Sequence, residues 1–418
     1  MTARGLMLGD VESRKLVAQG SHDAPQNPTG VSGAASAYSR AHSATLTVIA
    51  LAGLFLGSVV LRAVIGAHVH GPFVFMDELG YEQMAKSFAR TGHFALLGQR
   101  GLAYSPLYPV VLSPIYALTS SMHAAYEWAK FENAVLVSLS VFPVYAIARS
   151  VLPRGRSLAV AGVSLLAPLM LYSGFEMSES LAYPLCLVAF WTMLRTVRRP
   201  GAANDALLLA AIALATAARL QLVVLVPAAL TAVLLVGLVR TEPALGRLGG
   251  LRRAISAHRL LFGVCGAVLV VALARTATDG GNLPLAGRYS NVGTAHASAG
   301  RVVALFFEHL AGLDFAVGVI PFVAALLGGW ALVRFGFPRN ALVFGSVALA
   351  STFWIVLEVA YDAAAFDATK NLPHARPGFV DLPRIHERYL IYLVPLFLVA
   401  LLAVFDLRRP RFPLSRHV

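Results

Sequence analysis

The chain has 418 residues, 57% of them hydrophobic and only 13% charged, where a soluble domain carries about 25% charged residues. Apolar runs of about 20 residues recur along most of it, the length that crosses a hydrocarbon core, and this excludes a soluble fold. The formal net charge of +13 follows membrane sidedness rather than a nucleic-acid partner, and the two cysteines, both inside apolar runs, offer no C-x-x-C metal site.

Residues 1–43 are polar, rich in Gly, Ser, Ala and Pro, and hold no short apolar run followed by a cleavage site. They are expected to form a disordered cytoplasmic tail, with the first span as an uncleaved anchor. Spans are predicted at 44–67, 134–152, 157–174, 180–198, 205–219, 221–239, 260–276, 313–334, 340–361 and 388–407. The fold class is therefore an all-α polytopic membrane protein of about ten transmembrane helices. Residues 44–407 make one transmembrane domain with long outer loops at 68–133, 277–312 and 362–387, and 408–418 form a basic cytoplasmic tail.

With the N-terminus inside, 21 of the 34 Lys and Arg residues fall on inner segments, while 15 of the 21 acids fall on the outer side. The inner arginines include Arg149, Arg154 and Arg156, then Arg240, Arg247, Arg252, Arg253 and Arg259. This is the bias that orients a chain against an anionic inner leaflet. Both termini are then cytoplasmic, and the polar loops lie outside. Arg outnumbers Lys by 30 to 4, a composition associated with high-GC bacteria, so the expected location is a bacterial plasma membrane.

The first outer loop carries the densest polar pattern. It reads Phe73-Val74-Phe75-Met76-Asp77-Glu78-Leu79-Gly80-Tyr81 and continues as a predicted helix. Tyr81, Met84, Ala85 and Phe88 make an apolar stripe at helical spacing, and Glu82, Lys86 and Arg90 a charged row opposite, as in a helix lying in the membrane surface. Asp77 at its start reads as a helix N-cap, as a carboxylate facing a cavity, or as both. Gly101-Leu102-Ala103-Tyr104-Ser105-Pro106-Leu107-Tyr108-Pro109 then makes a Pro-broken turn into a second amphipathic segment. Farther on, Glu176-Met177-Ser178-Glu179-Ser180-Leu181 precedes the fourth span, Ala218-Arg219-Leu220-Gln221 makes an outer turn, and His386-Glu387-Arg388-Tyr389-Leu390 opens the last span with Pro395 inside it.

The order and side of these motifs resemble the GT-C superfamily of membrane glycosyltransferases, a group that includes protein O-mannosyltransferases, aminoarabinose transferases of lipid A, and actinobacterial arabinofuranosyl- and mannosyltransferases. The resemblance covers roughly residues 44–407. It implies a polyprenyl-phosphate sugar as donor, a glycan, glycolipid or protein as acceptor, and Asp77 as the base, with Glu78 as the nearby alternative. It is consistent with the absence of a nucleotide-binding glycine loop. Arg219, Arg388, His386 and Arg384 are the foremost candidates for the donor phosphate, with Arg288, Arg301 and Lys370 as further outer cations. Glu176, Glu179, Tyr104 and Glu387 are candidates for acceptor or sugar contacts. Each has a plainer reading: Arg219 and Arg388 as snorkelling anchors, Glu176 and Glu179 as a solvated turn, Tyr104 as an interfacial belt residue. Glu358 near the outer end of its span is a potential partner for an outer cation. No cofactor and no essential metal are expected. A polytopic transporter or flippase is the competing reading, disfavoured by scarce midspan charges and the absence of a detectable repeat.

Overall fold

The computed structural model describes residues 29–71, 75–166, 172–239, 246–279, 297–335, 338–369 and 386–407. Arg288, Lys370 and Arg384 lie outside these residues, as do residues 408–418 and most of the expected tail. By contact density the chain divides after Val48. In the N-terminal unit the helix α1 (Thr29–Ala67) is already under way, within the stretch expected as tail, and Thr47 Oγ1 donates to the Ser43 carbonyl one turn back.

The described residues of the main unit, from Ile49 onward, are mostly helical. The C-terminal half of α1 carries Arg62, buried in a segment where a bare cation is costly and must face the bundle. Its guanidinium donates to Ser58 Oγ at 3.2 Å, Ser173 Oγ at 3.5 Å and the Leu165 carbonyl at 2.8 Å. At the end of α1, Lys130 Nζ reaches the Gly66 and Val69 carbonyls at 2.8 and 2.9 Å. A buried cation there satisfies acceptors that a helix C-terminus leaves open.

The first loop folds as helix α2 (Met76–Thr91), a two-residue hairpin β1 (Ala95–Leu96) and β2 (Gln99–Arg100), then helix α3 (Leu107–Leu118). The N-cap of α2 is Phe75, not Asp77; Glu78 reaches back to the Phe75 N–H at 2.9 Å, and α2 ends on left-handed Gly92. The apolar stripe packs as expected, with Tyr81, Met84 and Ala85 buried against α3. The charged row is not simply solvated: Glu82 is buried too, and pairs with Lys86, which stands over the Tyr116 ring.

The helices α4 (Met122–Ser138), α5 (Val141–Ala148), α6 (Arg154–Leu165), α7 (Glu179–Arg198), α8 (Ala202–Ala218), α9 (Leu225–Val239), α10 (Gly246–Ala257) and α11 (Arg259–Asp279) follow in order. They are succeeded by α12 (Ala299–Val317), α13 (Val319–Phe335), α14 (Arg339–Thr369), α15 (Glu387–Leu390) and α16 (Val394–Leu407). Helix α7 packs on α8, α9 on α14, and α13 on α16. A Trp354–Thr231 hydrogen bond of 2.9 Å ties α14 to α9.

The count of ten uniform spans is not confirmed among the described residues. Among the described residues six helices are long and apolar enough to cross a membrane, or up to eight if two bent pairs each count as one span. The difference has local causes. Residues 313–334 are not one helix, because Gly318, with φ of +87°, breaks them into α12 and α13 at a bend of 115°. The stretch from 205 to 219 is apolar but short, as α8, and in the 157–174 region the helix α6 ends at Leu165, with residues 167–171 outside the described residues. Helix α12 starts at Ala299, inside a segment expected as loop.

Candidate active site

Residues from five separate elements meet at one end of the bundle. Asp77 sits in the first turn of α2. Its Oδ1 accepts from the Tyr104 hydroxyl at 3.1 Å, and its Oδ2 lies 3.7 Å from Arg388 Nη1. Tyr104 can lie that close because the α2 residue beneath its ring is Gly80, where any Cβ would collide with the ring carbons. The tyrosine ring also leans on Tyr81 at 5.0 Å, and the Tyr81 hydroxyl donates to Ser178 Oγ at 2.9 Å.

Arg388 joins this carboxylate to the next. Its Nη1 is 3.8 Å from Glu179 Oε1, and that oxygen is 2.6 Å from Arg219 Nη1. Glu179 opens α7, and Arg219 ends α8 in extended backbone before the 3₁₀ turn Leu220–Val224. Both guanidinium groups stand over Tyr389, at 4.5 Å for Arg219 and 5.0 Å for Arg388. Arg388 also donates to the Tyr389 hydroxyl at 3.0 Å. Arg219 and Glu179 are buried, whereas the side chains of Asp77 and Arg388 keep 30% and 23% exposure. The open edge of the cluster is thus one carboxylate and one guanidinium, backed by a sealed ion pair.

The neighbouring carboxylate is placed very differently. Glu78 is 0% exposed, and its oxygens accept from the Phe75 N–H, the Tyr126 hydroxyl at 3.2 Å and the Glu176 N–H at 3.3 Å. With those acceptors engaged inside the protein, it faces no solvent-open space. Glu176 belongs to this sealed group: it is buried, and the Tyr116 hydroxyl donates to it. Burial first, and then the charges of Glu82 and Glu78, push its carboxyl up to about 8, against the lowering effect of the Tyr116 bond.

Of the sequence candidates, the structure therefore brings together Asp77, Tyr104, Glu179, Arg219 and Arg388, and sets Glu78 and Glu176 in a separate buried network. His386 stands beside its neighbours instead: its ring stacks on His309 at 6.2 Å and leans on Tyr389 at 5.6 Å, and its N–H donates to His309 Nε2 at 3.2 Å. Arg301 pairs with Glu308 at 3.5 Å on an exposed face of α12. The side chain of Glu387 and all of Arg384 lie outside the described residues. Two acids one turn apart on α14, Glu358 and Asp362, lie within electrostatic reach of Arg219. Asp362 escaped the reading of the sequence, although its i+4 spacing from Glu358 puts both on one helix face. Among the described residues no group of three or more His, Cys, Asp or Glu side chains is arranged to hold a metal ion.

Comparison with known proteins locates the likeness of this chain in its fold. No family model and no curated protein matches the sequence. Among solved structures, ArnT from Cupriavidus metallidurans bound to undecaprenyl phosphate is similar with a TM-score of 0.50 and 17% identity, covering 85% of this chain and 60% of that one. The archaeal oligosaccharyltransferase AglB from Archaeoglobus fulgidus, in complex with an inhibitory peptide and a dolichol-phosphate, aligns at a TM-score of 0.44 and 14% identity, over 84% and 55% of the two chains. The chain thus spans about 60% of the length of ArnT. What the likeness defines is the fold: a helical architecture with several membrane-length apolar helices, shared with ArnT.

Proposed function

We propose that the chain is a membrane glycosyltransferase that moves a sugar from a polyprenyl-phosphate donor to an acceptor hydroxyl at the extracytoplasmic face, as a step in building a cell-envelope glycan, glycolipid or glycoprotein. The observation that carries this reading is the Asp77–Arg388 pair, open on one side and anchored on the other by the buried Glu179–Arg219 pair. Such a pair offers a base and a phosphate-binding cation within one substrate's reach. The positive-inside bias of the loops supports the outer placement. The GT-C fold shared with ArnT, a protein captured with undecaprenyl phosphate, supports the donor class.

In this reading the acceptor oxygen attacks the anomeric carbon from the face opposite the phosphate, so the configuration inverts. The new C–O bond forms as the bond to the phosphate oxygen breaks, and that oxygen leaves with the electron pair. The acceptor proton passes to an Asp77 oxygen. Arg388 trades its 3.7 Å contact with Asp77 for the lipid phosphate, a planar donor fork against an oxyanion. Phosphate is a good leaving group once its charge is held, so no general acid is required, unlike in an inverting glycosidase. Arg219, locked to Glu179, fixes the position of Arg388 through the shared carboxylate and the shared Tyr389 ring.

The test uses the purified full chain with undecaprenyl phosphate as probe, its retention read by native mass spectrometry. Wild-type protein retains the lipid, and Arg388→Gln loses it by about tenfold or more, the scale of one charge-assisted contact. Equal retention by both proteins removes Arg388 from the phosphate site. No retention by either removes the polyprenyl-phosphate donor.

A further inference from the structure

At the other end of the bundle the structure builds a second polar–apolar site, independent of the proposed transfer reaction. Asp205 in the first turn of α8 and Arg219 at its C-cap stand about 21 Å apart at the helical rise. The helix separates the cluster just described from the corner where α10 turns into α11 by 86°. That corner is fixed from within. His258, the residue at the break, is buried with Nδ1 2.8 Å from Asp205 Oδ1, and Asp205 Oδ2 accepts the Leu261 N–H at 3.3 Å at the start of α11. On its other side α10 lies flat on α9, where Gly237 leaves room for Gly250 and Ala254.

The remaining faces of α10 and α11 line an open groove of about 650 Å³. Leu248, Leu251, Ile255 and Phe262 give it an apolar floor, and Arg252 and Arg259 line it with positive charge. Leu248 is 82% exposed, a large apolar side chain left uncovered among the described residues. Gly246 to Gly263 contain Arg247, Arg252, Arg253 and Arg259 and not one acid. A soluble anion has no use for the apolar floor, and a neutral lipid has none for two guanidinium groups. A molecule with acyl chains and an anionic phosphate headgroup uses both.

We infer that this groove is a binding site for an anionic phospholipid of the leaflet opposite the active site, its headgroup phosphate on Arg252 and Arg259 and its chains on Leu248, Leu251, Ile255 and Phe262. The occupied groove fills the angle between α10 and α11 and steadies the bend that Asp205 and His258 define.

The full chain, purified in detergent, is offered phosphatidylglycerol or phosphatidylcholine of the same acyl chains. Retained lipid is counted by native mass spectrometry, and melting is followed in parallel. The expected result is selective retention of phosphatidylglycerol with a raised melting temperature. Retention falls roughly tenfold in Arg252→Gln/Arg259→Gln, since each basic group at a membrane surface contributes several-fold. Leu248→Asn, at an exposed position that cannot unfold the protein, lowers it as well, while Arg154→Gln/Arg156→Gln leaves it unchanged. Equal retention of both lipids, or unchanged retention in the Arg252/Arg259 variant, overturns the proposal. So does an equal loss in the Arg154/Arg156 variant, which would show general charge attraction. Stabilisation by inorganic phosphate alone would assign the cleft to a soluble anion, and a lipid-free dimer would assign it to a second copy; either outcome also overturns it.

Discussion

Two carboxylates adjacent in sequence, Asp77 and Glu78, end in opposite surroundings. Asp77 stands at an open edge opposite Arg388, with one hydrogen bond from Tyr104. Glu78 is spent on the architecture, holding the start of α2 to the α4 tyrosine and to the strand of chain before α7. The lesson is that helix geometry separates consecutive side chains by about 100°, so neighbours in the sequence are seldom neighbours in role. The open network is arranged to exchange partners with a ligand. The sealed one is arranged to keep them.

The sharpest way to break this contrast is to disturb the ion pair that backs the open edge. Glu179→Ala leaves Arg219 buried without its carboxylate, which costs about 3–5 kcal/mol; a large fall in melting temperature and in membrane yield is the expected outcome. Arg388→Gln removes a partly exposed cation instead. It should lower sugar transfer by about 10²–10³-fold while leaving the melting temperature near wild type, the signature of a group that holds developing charge rather than the fold. Gly80→Ala drives a methyl into the Tyr104 ring. An overpacked contact of this kind costs about 1–3 kcal/mol, and it should also slow transfer, because Tyr104 can no longer orient Asp77.

The sealed network makes a different prediction, in the pH dependence of stability. Because the Glu176 carboxyl is pushed up to about 8, the folded chain keeps its proton in a range where the unfolded chain has already released it. Stability is therefore fully present below the ordinary carboxylate range and declines as pH rises to about 8, then levels off. Glu176→Gln should flatten that decline in a melting series from pH 5 to pH 9. A series unchanged by the substitution would remove Glu176 from the account. The smallest effect is expected for Tyr104→Phe, which deletes one hydrogen bond to Asp77 and should cost about 0.5–1.5 kcal/mol in transition-state stabilisation.

Much of the plan was legible in the chain itself, for reasons tied to particular residues. Apolar length marks spans such as Arg339–Ala365 and Arg388–Phe405 well, because hydrocarbon thickness leaves little freedom. It does not show where a helix bends, and so the turn at Gly318 and the corner at His258 were invisible, each depending on packing from distant elements. The motifs around Asp77, Glu179, Arg219 and Arg388 were readable as polar groups at span ends. Their convergence was not, since it joins residues as far apart in sequence as Asp77 and Arg388. The division of labour between Asp77 and Glu78 depends on Tyr126 and the Glu176 N–H, which only the fold brings to Glu78. The Tyr389 ring that carries both arginines had a place in the motif opening the last span but no role of its own there. Asp362 had a signal, its spacing from Glu358, that went unread.

The central claim is that the open carboxylate and not its sealed neighbour takes the acceptor proton. The measurement that tests it most directly is sugar transfer by Asp77→Asn in membranes, using an undecaprenyl-phosphate-linked sugar that wild-type protein turns over, with lipid retention and melting temperature recorded on the same preparation. The account predicts folded protein that still retains undecaprenyl phosphate and transfers about 10²–10⁴-fold more slowly. Transfer at the wild-type rate by Asp77→Asn, in protein that is equally folded, would contradict it.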